Sequence, residues 1–599
     1  MPDADTLRPR LVLRFGVTGH RPPRFAREHH DAAMQTCREI FARSEDILSG
    51  IFASHSDTFA SDKPQVRLVS ALADGADIVA AEAAIAQGAS LSACLPFPAK
   101  TYRNNFAEED WRKAEKLSDA ATSTMSLQDH SGGDDAAYEA IGRLVLAQAD
   151  ILLAIWDGDV ARGRGGTGDV VAAAVAAHIP VIHIAPDGDH EPVLMWSGLH
   201  DEIPDRPSVD GVLRVPLQKA LPTLIDALCA PPEGEEFDAL KDFLKPARPG
   251  RETAFAWPLL LAAAGSKKWS KISFRVPSLA DARGYLDPLT RPFAEMGRFG
   301  EALNGRQAAR FSQADATASL YALRFRSSFV TNFSLAALAV LLALSGLLFP
   351  DAKVWLISAE LVVIFAIIMN TRSANRSNFH KLWIDRRHLA ERLRLLMISA
   401  SLGRLSLRDV EDGTTHPGWV TWYVRACARE LELPPGEIDQ AYLAKVRDAA
   451  LELMQDQISY HENNSHLMEH TNHRLHVIGD YLFIGTILFC GVYLTVKLGT
   501  GAPMLMGIDL TGVVTLATAF FPALAAALYG IRMQGDFAAT AERSALIARR
   551  MKKLHASLES DTLTYNRMVD RVRRLSEIML SDVQQWQQQY ETRPISLPG

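Results

Sequence analysis

Apolar positions fall into two regimes along this chain. Up to about residue 230 they come as short runs separated by helical stretches, and beyond about residue 320 they merge into long uninterrupted segments. The short runs are LVLRFGV at 11–17, VRLV at 66–69, residues 90–95, ADILLAIW at 149–156 and PVIHIA at 180–185, and they predict five strands. Between the first two, Met34, Cys37, Ile40, Ile47 and Ile51 recur at helical spacing. Residues 74–87 predict a helix closed by Gly88, and residues 170–178 predict another. Strands alternating with helices give an α/β Rossmann-like head, a parallel sheet covered by helices.

In the second regime, residues 329–349 and 510–531 carry no charge. About 20 apolar residues at roughly 1.5 Å each cross a bilayer core. Each pairs with a shorter apolar stretch, 354–369 after a turn at 350–353, and 481–496 before a Gly/Pro loop. An all-α membrane region of two transmembrane hairpins is expected. The segments after the hairpins match at a fixed offset: Phe379 precedes Ala390, Arg392 and Arg394, and Phe537 precedes Ala548, Arg550 and Lys552. Both predict long basic amphipathic helices, the second running from about 538 to 590 as an oligomerising, membrane-surface or solvated structural helix. Arg324, Arg326, Arg372, Arg376, Lys381, Arg474, Arg532 and Arg543 flank the open ends, against Lys353 and Lys497 in the turns. The positive-inside rule then places all soluble parts in the cytosol. Glu360 lies within the second span, where an acid is costly and faces a bundle interior or a pore.

These segments divide the chain into a head (1–235), an adaptor with juxtamembrane helices (236–325), a first hairpin with its amphipathic helix (326–400), a cytosolic helical segment (401–470), and a second hairpin with a long C-terminal helix (471–599). The 63 basic and 70 acidic residues balance to -7 in 599 residues, which gives no pull toward nucleic acid. Five scattered cysteines show no metal spacing, and the first ten residues lack the apolar core of a signal peptide. The expected location is the cytoplasmic membrane, with the head in the cytoplasm.

Ligands on such sheets bind beyond the carboxyl ends of the strands, where three glycine turns collect. GVTGHR offers Gly16 and Gly19 for close backbone approach and Thr18, His20 and Arg21 as donors to an anion. ALADGAD places Gly75 at a helix start, where free amides attract phosphate, with Asp74 and Asp77 as caps or ribose acceptors. The third runs from Asp157 through Arg162 and Arg164 to Gly165, Gly166, Thr167, Gly168 and Asp169. Together they predict a site for a nucleotide-type ligand, with no metal and no resident cofactor.

GVTGHR, ADGAD and GGTGD, each followed by a helix, resemble the SLOG superfamily over roughly residues 10–230. That group of Rossmann-like domains includes cytokinin-activating phosphoribohydrolases, DprA-like proteins and the ligand-binding N-terminal regions of TRPM channels. The phosphoribohydrolases carry PGGxGTxxE with a catalytic Glu, and here GRGGTGDVVAAA has no Glu at that spacing. The resemblance therefore implies binding without turnover, with Asp74, Asp77, Glu82 and Asp169 as the acids left to a hydrolase. Residues 300–599, with their paired hairpins, the AERLR stretch and SDVQQW at 581–586, resemble SLATT domains. These are associated with bacterial conflict systems and thought to act as membrane effectors. The implied function is a ligand-gated, homo-oligomeric membrane effector in anti-phage defence. A tethered phosphoribohydrolase and a small-solute transporter are the alternatives.

Overall fold

The computed structural model describes residues 3–128, 133–160, 163–405, 418–500, 504–505 and 508–590. The five expected strands form, as β1 (Val12–Gly19), β2 (Gln65–Ser70), β3 (Ser90–Leu95), β5 (Ile151–Ile155) and β6 (Val181–Ile184). Four more join them: β4 (Ser123–Leu127), β7 (Val193–Met195), β8 (Arg214–Pro216) and β9 (Gly436–Ile438). The sheet order is β8-β7-β6-β5-β1-β2-β3-β4-β9. Every pair is parallel except β6–β7 and β7–β8. The sheet is thus mixed, not purely parallel. Its crossovers include α1 (His30–Ser54), α2 (Ala76–Gln87), α3 (Asp134–Gln148) and α4 (Thr167–Ala176).

Strand β9 corrects the division of the chain. The segment 401–470, expected to be helical, sends Gly436–Ile438 back to pair with Met125–Leu127 on the sheet's far edge. It also supplies the helix α8 (Trp419–Glu430). Tyr423 donates its hydroxyl to the Leu7 carbonyl, and the Trp422 indole donates to the Cys229 carbonyl at 3.2 Å. The core of the head is therefore completed by chain that follows the first hairpin.

The helical half is two copies of one arrangement. In the first, α5 (Ala308–Leu348) turns through Pro350–Ala352 into α6 (Lys353–Arg376) and continues as α7 (Phe379–Ala400). In the second, α9 (Gln440–Thr500) is followed by α10 (Leu510–Gly535) and α11 (Phe537–Ser560). A single left-handed residue precedes the third helix of each copy: Asn378 at φ 47° and Asp536 at φ 44°. Asn and Asp are the residues that tolerate this conformation best after Gly. Among the described residues, four helices are long and apolar enough to cross a membrane. Their outward faces leave large apolar side chains bare, with Trp355 at 79%, Ile487 at 70% and Leu498 at 83% exposure.

Two expectations about the basic helices are overturned. Helix α7 is not amphipathic in its second half, since Leu389 to Ala400 are all buried. Its arginines are internal and paired. Arg386 reaches Asp242 at 3.1 Å and lies 4.8 Å from the rings of both Phe243 and Trp419. Glu391 sits between Arg387 at 2.7 Å and Arg394 at 3.0 Å. A buried charge persists only when paired and hydrogen-bonded. Glu391 finds its arginines on its own helix, whereas Arg386 takes Asp242 and Arg387 takes Asp315 from other elements that a charge pattern does not reveal. The long C-terminal helix is also broken, into α11 and α12 (Tyr565–Tyr590). The break at 561–564 is held by Arg571 on Asp561 at 2.6 Å and by the Tyr565 hydroxyl on the Leu402 carbonyl at 2.8 Å. The apolar face of α12, Tyr565, Met568, Val572, Leu575 and Met579, is buried within the chain's own core. It is not available to a membrane surface. Arg162, and the SDVQQW side chains after Ser581, lie outside the described residues.

Candidate functional site

The chain fills one side of the sheet from β1 to β4 and then crosses to β5 on the other side of β1. This reversal leaves a crevice between the carboxyl ends of β1 and β5, the place where open α/β sheets bind ligands. His20 ends β1 and Asp157 follows β5. His20 Nε2 lies 2.8 Å from Asp157 Oδ1, and Arg24 pairs with the other carboxylate oxygen. Burial pushes the Asp157 carboxyl up. Hydrogen bonding from His20 and the Asp159 N–H, together with the Arg24 charge, outweighs that and holds it below the usual carboxylate range.

The other turns close on the same crevice. Gly75 takes φ +90°, and a Cβ there would sit 2.7 Å from the His20 carbonyl oxygen. That oxygen accepts from the Ala76 N–H at 3.2 Å, so the ADGAD turn is stitched to GVTGHR. The Arg21 guanidinium lies 4.9 Å from the Tyr138 ring centroid. Gly165, at φ +73°, packs on the Tyr138–Glu139 backbone of α3, where a Cβ would approach the Glu139 nitrogen to 2.7 Å. Gly166 precedes α4, and Thr167, Gly168 and Asp169 form its first turn. Asp169 is exposed and accepts from the Gly165 N–H at 3.2 Å, which makes it a turn cap. Arg164 pairs with Glu139 at 2.6 Å.

Two of the expected residues have a packing role. Gly16 lies inside β1 between Val69 and Leu152, and a Cβ there would strike Val145 at 2.7 Å. Asp77 is buried and accepts from the Ser70 hydroxyl at 3.2 Å and the Ala71 N–H at 3.1 Å. Its carboxylate ties down its own loop. Thr18 is half-buried in β1 beside Ala154, Gly19 packs so closely on Ala76 that a Cβ would lie 2.3 Å away, and Asp74 is half-buried. Glu360 is far from this crevice, half-buried midway along α6.

Sequence reasoning missed Arg24, Tyr102 and Tyr138. Arg24 stands four residues after His20 in GHRPPR, and that density of cations was a usable signal. Tyr102 and Tyr138 are brought in by separate helical segments and carry no local signal. The Tyr102 hydroxyl is buried with no hydrogen-bond partner, although its neighbours Arg21 and Asp77 are charged. Asn105 donates to the Tyr138 hydroxyl at 2.9 Å. The result is a crevice floored by turns, with Arg21 against an aromatic wall and Arg24 committed to Asp157 and to Asp159 at 3.4 Å.

A cavity of about 450 Å³ opens at the opposite, amino-terminal edge of the strands. Its charges cancel: Arg306 pairs with Asp5 at 3.0 Å, Glu430 with Arg310 at 2.6 Å, and Arg67 approaches Glu432 at 3.7 Å. It belongs to the seam with the helical half. No known family model and no curated protein matches this chain.

Burial raises the Asp77 carboxyl to about 6, against opposing help from Arg21 and the loop amides. The folded chain therefore holds a proton that the unfolded chain has lost between about pH 4 and pH 6, so this group's contribution to stability falls as pH rises through that window. Asp77→Asn does not titrate. The stability difference, variant minus wild type, should shift in the variant's favour by about 2 kcal/mol between pH 4 and pH 7. Denaturant midpoints of both full-length proteins across that range check this, and a flat difference would count against the raised value.

Proposed function

We propose that the chain is a ligand-gated membrane effector. The head binds a phosphate-bearing nucleotide or nucleotide-derived signal in the β1/β5 crevice, and the two hairpins span the cytoplasmic membrane and respond by perturbing it. The observation that carries this reading is the union in one chain of an aromatic-walled crevice holding Arg21 and four apolar helices whose outer faces are bare. Large apolar patches of that kind mark contact with a membrane or partner rather than water. Binding without turnover is favoured because the third glycine turn lacks the Glu of the hydrolases it resembles, and of the remaining acids Asp169 caps its own turn and Asp77 is sequestered by its own loop. We further assign the chain to SLOG-like and SLATT-like classes acting in anti-phage defence as a homo-oligomer, on the motifs set out above.

A ligand shifts such a protein only through unequal affinity for its states. The test is ion or dye release from liposomes holding the purified full-length protein, with and without a panel of nucleotides. Release should rise with one member of the panel. Glu360→Gln should change release without changing ligand affinity. Unchanged release at saturating ligand, accompanied by nucleotide turnover, would favour a tethered hydrolase.

Topology is tested by cysteine labelling. Four native cysteines are buried and Cys490 is exposed, so Cys490→Ser gives a quiet background. Cysteines at Lys353 and Lys497 should label from outside the cell, and those at Arg376 and Arg543 should not. The reverse pattern would refute the cytosolic head.

A further inference from the structure

The connector between head and first hairpin carries an unexplained surface. Its helix, Ala256–Ala263, packs Trp257 flat against Phe537, with ring centroids 5.6 Å apart, and the Trp257 N–H donates to the Ser327 hydroxyl at 3.3 Å. Beyond Gly265 the chain is tied to α9, with Arg474 donating to the Ala264 carbonyl at 3.3 Å and Thr471 to the Ser266 hydroxyl at 2.8 Å. These anchors fix its height twice over. Ser327 immediately precedes the apolar run at 329–349, and Arg474 stands seven residues, about 10 Å of helix, before Tyr481. Both place the connector at the level where the spans begin.

At that level its outer side is apolar and basic. Phe255, Leu259 and Trp269 are exposed, Trp269 at 65%. Lys267, Lys268, Lys271 and Arg275 are also exposed, and no acid occurs between Thr253 and Arg275. A cavity of about 420 Å³ lies between this helix and the first hairpin, edged by Phe255 and Leu259. Its polar lining is Arg324, Ser327, Ser328, Thr331 and Asn370. Arg324 pairs with Glu252 at 2.9 Å at its rim.

We propose that the connector is a lipid-facing lip, and that this cavity seats the headgroup of an anionic phospholipid. Exposed tryptophan beside clustered lysines is the composition of the membrane interface, where the ring sits among headgroups and the ammonium groups meet anionic lipid. The Ser327 and Thr331 hydroxyls and Arg324 supply hydrogen-bond donors to one phosphate, while the Ser328 hydroxyl is spent on the Arg324 carbonyl at 2.9 Å, and Phe255 and Leu259 border the acyl chains. The proposal rests on the membrane reading and goes beyond it by naming a lipid class and its site.

The test uses the full-length protein in phosphatidylglycerol/phosphatidylcholine nanodiscs. In a Cys490→Ser background, Trp269→Cys carries an environment-sensitive fluorophore, with Glu28→Cys on the exposed head surface as the control. The Trp269 probe should shift to the blue and be quenched by shallow spin-labelled lipid, and the Glu28 probe should not. Native mass spectrometry of protein equilibrated with equal amounts of the two lipids should show retained phosphatidylglycerol. Arg324→Gln should reduce that retention, and each Lys→Gln change at 267, 268 or 271 should cut the preference by up to about fivefold. If alkali releases the protein from membranes, the spans and the lip fail together. If the protein resists alkali, a water-exposed Trp269 probe, or equal retention of both lipids, overturns the lip alone.

Discussion

Arg429→Ala should cost the folded chain about 3–5 kcal/mol, the range for stripping one partner from a buried ion pair. Arg429 is buried on α8, and its Nε donates to both oxygens of Asp150 at 2.9 and 3.0 Å. Asp150 opens β5 and also accepts from the Arg14 N–H at 3.1 Å. The Arg14 side chain, itself buried, donates to the carbonyls of Gln148 at 2.8 Å, Arg429 at 3.2 Å and Leu431 at 2.8 Å. Gln148 reaches the Gly403 carbonyl from its side-chain amide. Removing the guanidinium leaves the largely buried Asp150 charge short of its counter-ion. Asp150→Asn in the same chain should recover part of the loss, because it removes the stranded charge. Denaturant midpoints of the two single variants and the double variant would measure this coupling, and a loss below about 1 kcal/mol would mean that the pair is solvated. It follows that a fragment ending near residue 235 should not fold by itself. It would lack β9, the Arg429 partner, and the carbonyls that satisfy Arg14. Limited proteolysis of that fragment beside the full chain decides it.

Arg21→Met should weaken nucleotide binding by about 10- to 100-fold, the value of one hydrogen bond to a charged group. Arg21 is the cation held between the Tyr138 ring and the turns that carry His20 and Gly75. Calorimetry of the full-length protein against the panel member that triggers release measures the loss. An unchanged affinity would move the ligand elsewhere. Gly75→Val should abolish binding outright. It forces a β-branched residue into φ +90° and drives a Cβ to 2.7 Å from the His20 carbonyl, so both turns must separate. The helical half meets the sheet in two places, at the amino-terminal edge through the Arg14 network and at the carboxyl end of β9, where Ile438 leads into α9. Strand β1 joins the first of these to the crevice, from the Arg14 network to His20.

Local chemistry was enough for much of this protein. The apolar runs at 11–17 and 90–95 could only become strands of a covered sheet, and the 74–87 helix stops at Gly88 because that residue takes the left-handed cap, at φ +88°. The uncharged segments were legible as long apolar helices, and the matched offset of Phe379 and Phe537 marked a repeat that the paired left-handed residues at 378 and 536 bear out. The turns at 16–21, 71–77 and 165–169 were visible as glycine chemistry.

Tertiary structure alone decided the rest. STMSL at 123–127 has too weak an alternation to announce a strand, and becomes β4 because β3 and β9 flank it. The arginines of α7 read as part of a basic amphipathic helix. Arg386 is buried because Asp242 and the rings of Phe243 and Trp419 come to it from distant segments, and half-buried Arg387 meets Asp315. His20 and Asp157 were both in view, but only the strand reversal at β1/β5 brings them to 2.8 Å. Periodicity and turn preference act over a few neighbouring residues. The partner of a buried charge, the last strand of a sheet and the walls of a crevice depend on contacts between residues hundreds of positions apart, and the fold makes those contacts.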